Sequence, residues 1–144
     1  MVYEERNLWS TLVVSVVAMI VYVIVILQAA DGGPLIEVDW VPIMLWTIGA
    51  SIVGAIVVSI VWGMVASVRD PDGTGKSDQR DRDIARMGNR VGYAIIVIPG
   101  LGVIALCAFE AHWFWIANTM YLGFAVSTIV GGIASVIAYR RGLV

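Results

Sequence analysis

The run "LWSTLVVSVVAMIVYVIVIL", residues 8–27, contains no charged residue and is rich in Val and Ile. At a rise of 1.5 Å per helical residue, about 20 residues cross the roughly 30 Å hydrocarbon core of a bilayer. The run exceeds the 7 to 15 or so apolar residues of a secretory signal, and its leader "MVYEERN" is more acidic than basic. The run therefore predicts a retained transmembrane helix.

Three further apolar runs of membrane-spanning length follow, at residues 41–68, 91–109 and 114–139. They explain why 60% of the 144 residues are hydrophobic and only 14% are charged. Transmembrane β-strands would instead show about ten residues of alternating polarity. We therefore expect one all-α domain over residues 1–144, an integral membrane four-helix bundle.

The positive charges of the chain are confined to one side of the predicted membrane. The nine Lys and Arg residues lie before span one, between spans two and three, or after span four: Arg6, Arg69, Lys76, Arg80, Arg82, Arg86, Arg90, Arg140 and Arg141. Positively charged loops stay in the cytoplasm. This rule places both termini and residues 69–90 in the cytoplasm, and only acidic residues, with His112, on the outer side.

The connection between spans two and three contains "GTGKS", residues 73–77, which resembles the end of a phosphate-binding loop. The Walker pattern requires a glycine at position 70 and a preceding buried strand. Here position 70 is aspartate, and a membrane span precedes it. We therefore expect no nucleotide or nucleic acid ligand. Residues 70–73 instead predict a turn, with Ser77 as the N-cap of a helix.

From residue 78 onward, opposite charges recur at helical spacing, such as Asp83 with Arg86. Ile84, Met87 and Val91 share one helix face, so the segment is amphipathic. It either lies at or rises from the cytoplasmic headgroup layer before it enters span three, or forms a solvated extension of span three that touches nothing. Its charged residues form a predicted cytoplasmic docking surface: Asp78, Arg80, Asp81, Arg82, Asp83, Arg86 and Arg90.

Small residues recur every four positions in the two even-numbered spans, which permits close helix packing in lipid. The span-two stripe comprises Thr47, Ser51, Ala55, Ser59, Gly63 and Ser67, and the span-four stripe comprises Thr119, Gly123, Ser127, Gly131 and Ser135. Residues 51–56 and 128–133 also share local sequence, which favours a pairing of spans two and four. Alternatively, one stripe packs against a second protomer or partner. Pro99 predicts a kink in span three.

The residues that could carry chemistry are few and scattered. Glu110, His112 and Asn118 form a possible outer polar site, although a solvated acidic rim with an interfacial histidine is the favoured interpretation of Glu110 and His112. None of the predicted spans contains a charged residue, which disfavours a proton pathway. The single cysteine, Cys107, is predicted to be buried in span three, so no internal disulfide forms. We predict no catalytic residue, metal or cofactor.

Several motifs together resemble a family of small four-span membrane proteins of actinobacteria. They are "YEERNLW" (3–9), "LWTIGASIV" (45–53), "KSDQRDRDI" (76–84), "HWFWIANTMYLGF" (112–124) and "AYRRG" (138–142). Asp83 stands where that family usually has Glu. The resemblance implies the four-span fold and a multi-pass location in a bacterial cytoplasmic (inner) membrane. It implies no activity.

Two functions remain open from the sequence. The first is a non-enzymatic interaction, scaffold or regulatory module, surrounded by membrane lipids, that binds a second copy of itself or another membrane protein. The second is a small oligomeric transporter or channel, with Asn118, Thr119, Ser127 and Thr128 along a polar path in span four and Glu110 at its mouth.

Overall fold

The structure is a computed structural model that describes residues 3–69 and 79–141. Its elements are α1 (Tyr3–Ala30), a 3-10 helix (Leu35–Glu37), α2 (Trp40–Arg69), α3 (Gln79–Ala108) and α4 (Trp113–Arg141). All four α-helices are long and apolar enough to cross a membrane. The predicted all-α fold, with four helices long and apolar enough to span a membrane, is confirmed. The predicted turn at residues 70–73 and the cap at Ser77 lie outside the described residues.

The helices lie side by side in the order α2, α1, α4, α3. The most extensive contact joins α3 to α4, and α1 packs on both α4 and α2. The backbone of α2 makes marginal contact at most with those of α3 and α4, and its main side-chain contact with α4 is that of Trp40 with Trp113 and Phe114. The predicted pairing of spans two and four is therefore wrong, because α3 occupies the face of α4 that carries the small residues.

Glycines bring the backbones of α3 and α4 together. A Cβ atom added at Gly131 would lie only 2.8 Å from the carbonyl oxygen of Gly88, and one added at Gly88 would overlap Ser135 Oγ. Further along, Ser127 Oγ donates a 2.7 Å hydrogen bond to the Gly92 carbonyl. The span-four stripe thus packs against another helix of the same chain, as predicted. That helix is α3, whereas the sequence favoured α2.

Pro99 lies inside α3, which continues as a helix on both sides of it. Its ring packs against Gly123 of α4, where a side chain would clash with it. The small residues of α4 therefore leave room for the ring of Pro99 as well as for the close approach of the α3 glycines. The predicted kink at Pro99 stays a prediction.

A cluster of large side chains joins three helices at one end of the bundle, called the aromatic end. Tyr22 and Ile26 of α1, Trp40 of α2 and Phe114 of α4 are buried there. The Tyr22 hydroxyl donates a 2.5 Å hydrogen bond to Asn118 Oδ1. The opposite end, which holds Asn7, Asp81 and Tyr139, is called the charged end.

Candidate functional site

The three residues of the predicted outer polar site do not come together as one polar group. Glu110 and His112 are exposed in the α3–α4 connection, whereas Asn118 is buried inside the bundle. His112 Nδ1 accepts a 3.2 Å hydrogen bond from the backbone N–H of Phe114, so it caps α4. Within residues 3–69 and 79–141, no group of three or more His, Cys, Asp and Glu residues is placed to hold a metal ion. Cys107 is exposed, which corrects its predicted burial.

Glu110 ends α3 in a left-handed conformation that favours glycine. Its φ angle is +52°, and Ala111 N–H donates to the Leu106 carbonyl at 2.9 Å while Glu110 N–H donates to the Cys107 carbonyl at 3.1 Å. These two bonds form a Schellman motif with Glu110 at the position usually held by glycine. An L-residue pays a steric cost in this region of about 1–2 kcal/mol.

We expect Glu110→Gly to raise the free energy of unfolding by about 1 kcal/mol, because glycine adopts a positive φ without that cost. The measurement is an unfolding titration in mixed dodecyl sulfate micelles. Glu110→Ala removes the same carboxylate but keeps a Cβ atom, so it should not stabilise the protein. Equal effects of the two substitutions would contradict the backbone explanation.

The predicted docking segment is the first part of α3 and packs against α4. Asp81, Ile84 and Gly88 are buried, whereas the arginines of the segment are exposed: Arg80, Arg82, Arg86 and Arg90. The segment is continuous with span three, as the prediction of an extension of that span had it, but the prediction that it touches nothing is wrong, because it packs on α4. Its position relative to the headgroup layer stays a prediction. Asp83 and Arg86 form the predicted ion pair, at 3.3 Å. Asp78 lies outside the described residues.

A polar cavity opens at the charged end between α1, α3 and α4. Asp81 is only 9% exposed, and its Oδ1 accepts a 2.8 Å hydrogen bond from the Tyr139 hydroxyl. The cavity has a volume of about 180 Å³. We call it the charged-end cavity, and its lining residues are Asn7, Leu8, Thr11, Asp81, Ile84, Ala85, Ser135 and Tyr139.

A cleft of about 280 Å³ continues from this cavity between the same three helices. The two share the walls formed by Leu8, Thr11, Ala85 and Ser135. We call it the glycine-floored cleft, because four glycines line it: Gly88, Gly92, Gly131 and Gly132. Sequence reasoning missed both spaces. The signal was present in the spacing of Gly88 and Gly92, a Gly-x-x-x-Gly pattern that permits close helix approach.

The span-two stripe lies on a helix with one main neighbour. Trp62 Nε1 donates a 2.5 Å hydrogen bond to Ser10 Oγ of α1. Ser51 and Ala55 are half-buried, whereas Ser59 is exposed. The large apolar side chains of α2 are mostly exposed as well, with Trp46 at 80%. Much of the surface of α2 is therefore open to lipid or to another protein.

The residues of the predicted polar path along span four face different neighbours. Asn118 bonds to Tyr22 of α1, and Ser127 bonds to Gly92 of α3. Thr119 packs at the α3 side, since its Cγ2 would lie 3.4 Å from a Cβ atom added at Gly102. Thr128 is exposed and bonds to the Phe124 carbonyl of its own helix. This arrangement does not favour a transport path, and that function stays a prediction.

The chain was compared with known protein families, curated proteins and solved structures. A scan against protein-family models, a search of curated proteins and a search of solved structures each found no match to the chain.

Proposed function

We propose that this chain is a non-enzymatic membrane protein that assembles in the bilayer through α2, with a second copy of itself as the first partner and another membrane protein as the alternative. The observation that carries the proposal is that α2, a helix of membrane-spanning length, packs along its length mainly on α1 in the described structure, and it meets α4 chiefly through Trp40 at the aromatic end. The other stripe of small residues, on α4, is already covered by α3.

The physical basis is the packing of helices in lipid. Lipid tails are as apolar as leucine, so an exposed apolar helix has no hydrophobic reason to find a partner. Small residues do favour association, because they let backbones approach and gain van der Waals contact. Ser59 lies at an exposed position of α2, and Ile56 and Ile60 flank it with exposed apolar side chains. A partner helix could therefore pack closely at Ser59.

The same proposal places the charged end in the cytoplasm of a bacterial cell, with the exposed arginines of α3 as a docking surface outside the bilayer. The distribution of Lys and Arg supports this orientation, because positively charged loops are retained in the cytoplasm. The exposure of Arg80, Arg82, Arg86 and Arg90 supports the docking surface.

Crosslinking in native membranes tests the proposed contact through α2. In a Cys107→Ser background, Ser59→Cys should form a disulfide-linked dimer on mild oxidation, because close helix packing brings two Ser59 positions together. A matched control is Val97→Cys, on the exposed side of α3, where Val97 is 55% exposed. We expect at least several-fold more adduct from Ser59→Cys than from Val97→Cys. An adduct of another mass would identify a different membrane protein as the partner.

Recovery of monomer alone from Ser59→Cys, or equal adduct yields from both positions, would contradict assembly through α2.

A further inference from the structure

Exposed arginines follow one face of α3, and we call them the arginine stripe. Arg82, Arg86 and Arg90 recur every four residues, and all three are exposed. At about 100° per helical residue, they and Tyr93 fall within an arc of about 80°. Gly88, which meets the backbone of α4, lies on the other side of the helix. The arginine stripe therefore lies on the side of α3 that faces away from α4.

The stripe ends where the apolar part of α3 begins. After Arg90, α3 contains no charged residue, and residues 91–108 extend about 27 Å at 1.5 Å per residue. That length is close to the roughly 30 Å core of a bilayer. Tyr93, one turn beyond Arg90, is 72% exposed, and tyrosine is enriched at membrane–water interfaces. When α3 spans a bilayer, Arg90 therefore lies at the level of the lipid phosphates.

Arg86 lies about 6 Å further from the hydrocarbon core than Arg90, one helical turn along α3. The headgroup layer on each side of a bilayer is roughly 5–7 Å thick. The two arginines therefore span the depth of that layer.

The charges around these two arginines favour an anion. Arg86 meets Asp83 through a single nitrogen–oxygen contact of 3.3 Å, and its side chain stays 75% exposed. A guanidinium group carries five N–H donors in a fork that fits two phosphate oxygens, so donors remain for a phosphate. The acidic residue of α3 nearest in sequence to Arg90 is Asp83, two turns away. The neighbouring helix α4 contains no acidic residue.

We propose that Arg86 and Arg90 bind the phosphates of anionic phospholipid headgroups in the cytoplasmic leaflet. The inference rests on the membrane orientation of the proposed function, and it names a partner for the part of the docking surface nearest the bilayer. Arginine binds phosphate in a two-pronged geometry that lysine does not reproduce. An anionic lipid also suits the exposed Tyr93 and the apolar surface one turn beyond Arg90, which a soluble acidic protein does not reach.

The test compares phosphatidylglycerol with phosphatidylcholine of the same acyl chains. The full-length protein is equilibrated in mixed micelles that contain equal amounts of both lipids, and the retained lipid is quantified by native mass spectrometry. Both lipids carry a phosphate, but only phosphatidylglycerol has a net negative charge. We expect roughly tenfold preference for phosphatidylglycerol from two arginines at the headgroup level. Added sodium chloride should weaken the preference, because salt screens exposed charges.

Substitution of Arg90 tests whether the stripe causes the preference. Arg90→Gln should reduce it about fivefold, the change expected for one arginine near a charged membrane surface. Arg90→Lys keeps the charge but not the two-pronged geometry, so its preference should fall between those of the native chain and Arg90→Gln. Arg90 is exposed, so both variants should fold.

Arg141→Gln is the matched control, since it removes the same charge at the far tip of the charged end. Tyr139 of α4 bonds to Asp81, which lies about 13 Å before Arg90 along α3. Arg141 follows Tyr139 and is exposed. That separation exceeds the Debye length of about 10 Å at 0.1 M salt, so Arg141→Gln should keep the preference.

Three results would overturn the proposal. The first is equal retention of both lipids by the native chain. The second is an equal loss of preference in Arg90→Gln and Arg141→Gln, which would assign the effect to net charge. The third is binding of soluble polyglutamate that depends on Arg90 while lipid retention does not, which would assign the surface to an acidic protein. A disulfide-linked dimer of Ser59→Cys in native membranes is measured independently, so its formation beside a failed lipid preference rejects the lipid site alone.

Discussion

Replacing Gly131 by alanine should lower the free energy of unfolding by about 1–3 kcal/mol, the usual cost of overpacking a close contact. The added Cβ atom would lie 2.8 Å from the backbone oxygen of Gly88 and 3.5 Å from the Gly92 backbone. A backbone atom cannot turn aside as a side chain can, so α3 and α4 must separate. Gly131→Val should cost more, because its two methyl groups extend the overlap.

Unfolding titrations in mixed dodecyl sulfate micelles measure this effect, and the chain offers matched controls. A Cβ atom at Gly100 of α3 or at Gly49 of α2 would meet nothing within 4 Å. Gly100→Ala and Gly49→Ala should therefore be neutral or slightly stabilising, because alanine favours a helix more than glycine does. If Gly131→Ala behaves like these controls, α3 and α4 do not pack through their glycines.

The contrast between Gly131 and Gly100 shows how far the sequence could predict the fold. The existence and length of each span are local properties, because lipid forces every helix to satisfy its own backbone hydrogen bonds. Apolar runs such as residues 8–27 therefore predicted the four helices. The choice of neighbour is not local. Small residues at four-residue spacing occur on both α2 and α4, and the stripe alone does not indicate which surface will cover it.

The helix that packs on the small residues of α4 is α3, and the residues of α3 that make this contact were interpreted differently from the sequence. Gly88 and Gly92 lie in a stretch whose charges suggested a solvated or interfacial helix, and Pro99 suggested only a kink. In the structure, both glycines contact the span-four stripe, and the proline ring packs on Gly123. The Asp83–Arg86 pair was predictable because it depends on spacing along one helix.

Asp81 shows why the candidate site was harder to predict than the fold. Asp81 stands between Arg80 and Arg82 in a charged stretch, a sequence context that usually indicates an exposed side chain. Its burial depends on Tyr139, 58 positions along the chain, and on the approach of Asn7 from α1. No periodicity within α3 contains that information. The residues of the predicted outer site are separated for a related reason: Asn118 lies on the face of α4 that meets Tyr22, whereas Glu110 and His112 are exposed.

Asn118→Ala should destabilise the aromatic end by about 1–3 kcal/mol, the cost of leaving a buried polar group without its partner. The Tyr22 side chain is 2% exposed, so its hydroxyl could not turn to water after losing Asn118 Oδ1. Asn118 also donates a 2.8 Å hydrogen bond from Nδ2 to the Phe114 carbonyl of its own helix. The substitution therefore removes one contact between helices and one within α4.

A double-mutant cycle with Tyr22→Phe isolates the contact between α1 and α4. Hydrogen bonds between membrane helices contribute about 0.6 kcal/mol on average and up to about 1.7 kcal/mol. We expect a coupling energy near the upper value, because the 2.5 Å bond is short and both residues are buried. Thr128→Val is the matched control on α4, since its hydroxyl is exposed and bonds within the helix. Additive losses for Tyr22→Phe and Asn118→Ala would show that this hydrogen bond does not hold the aromatic end together.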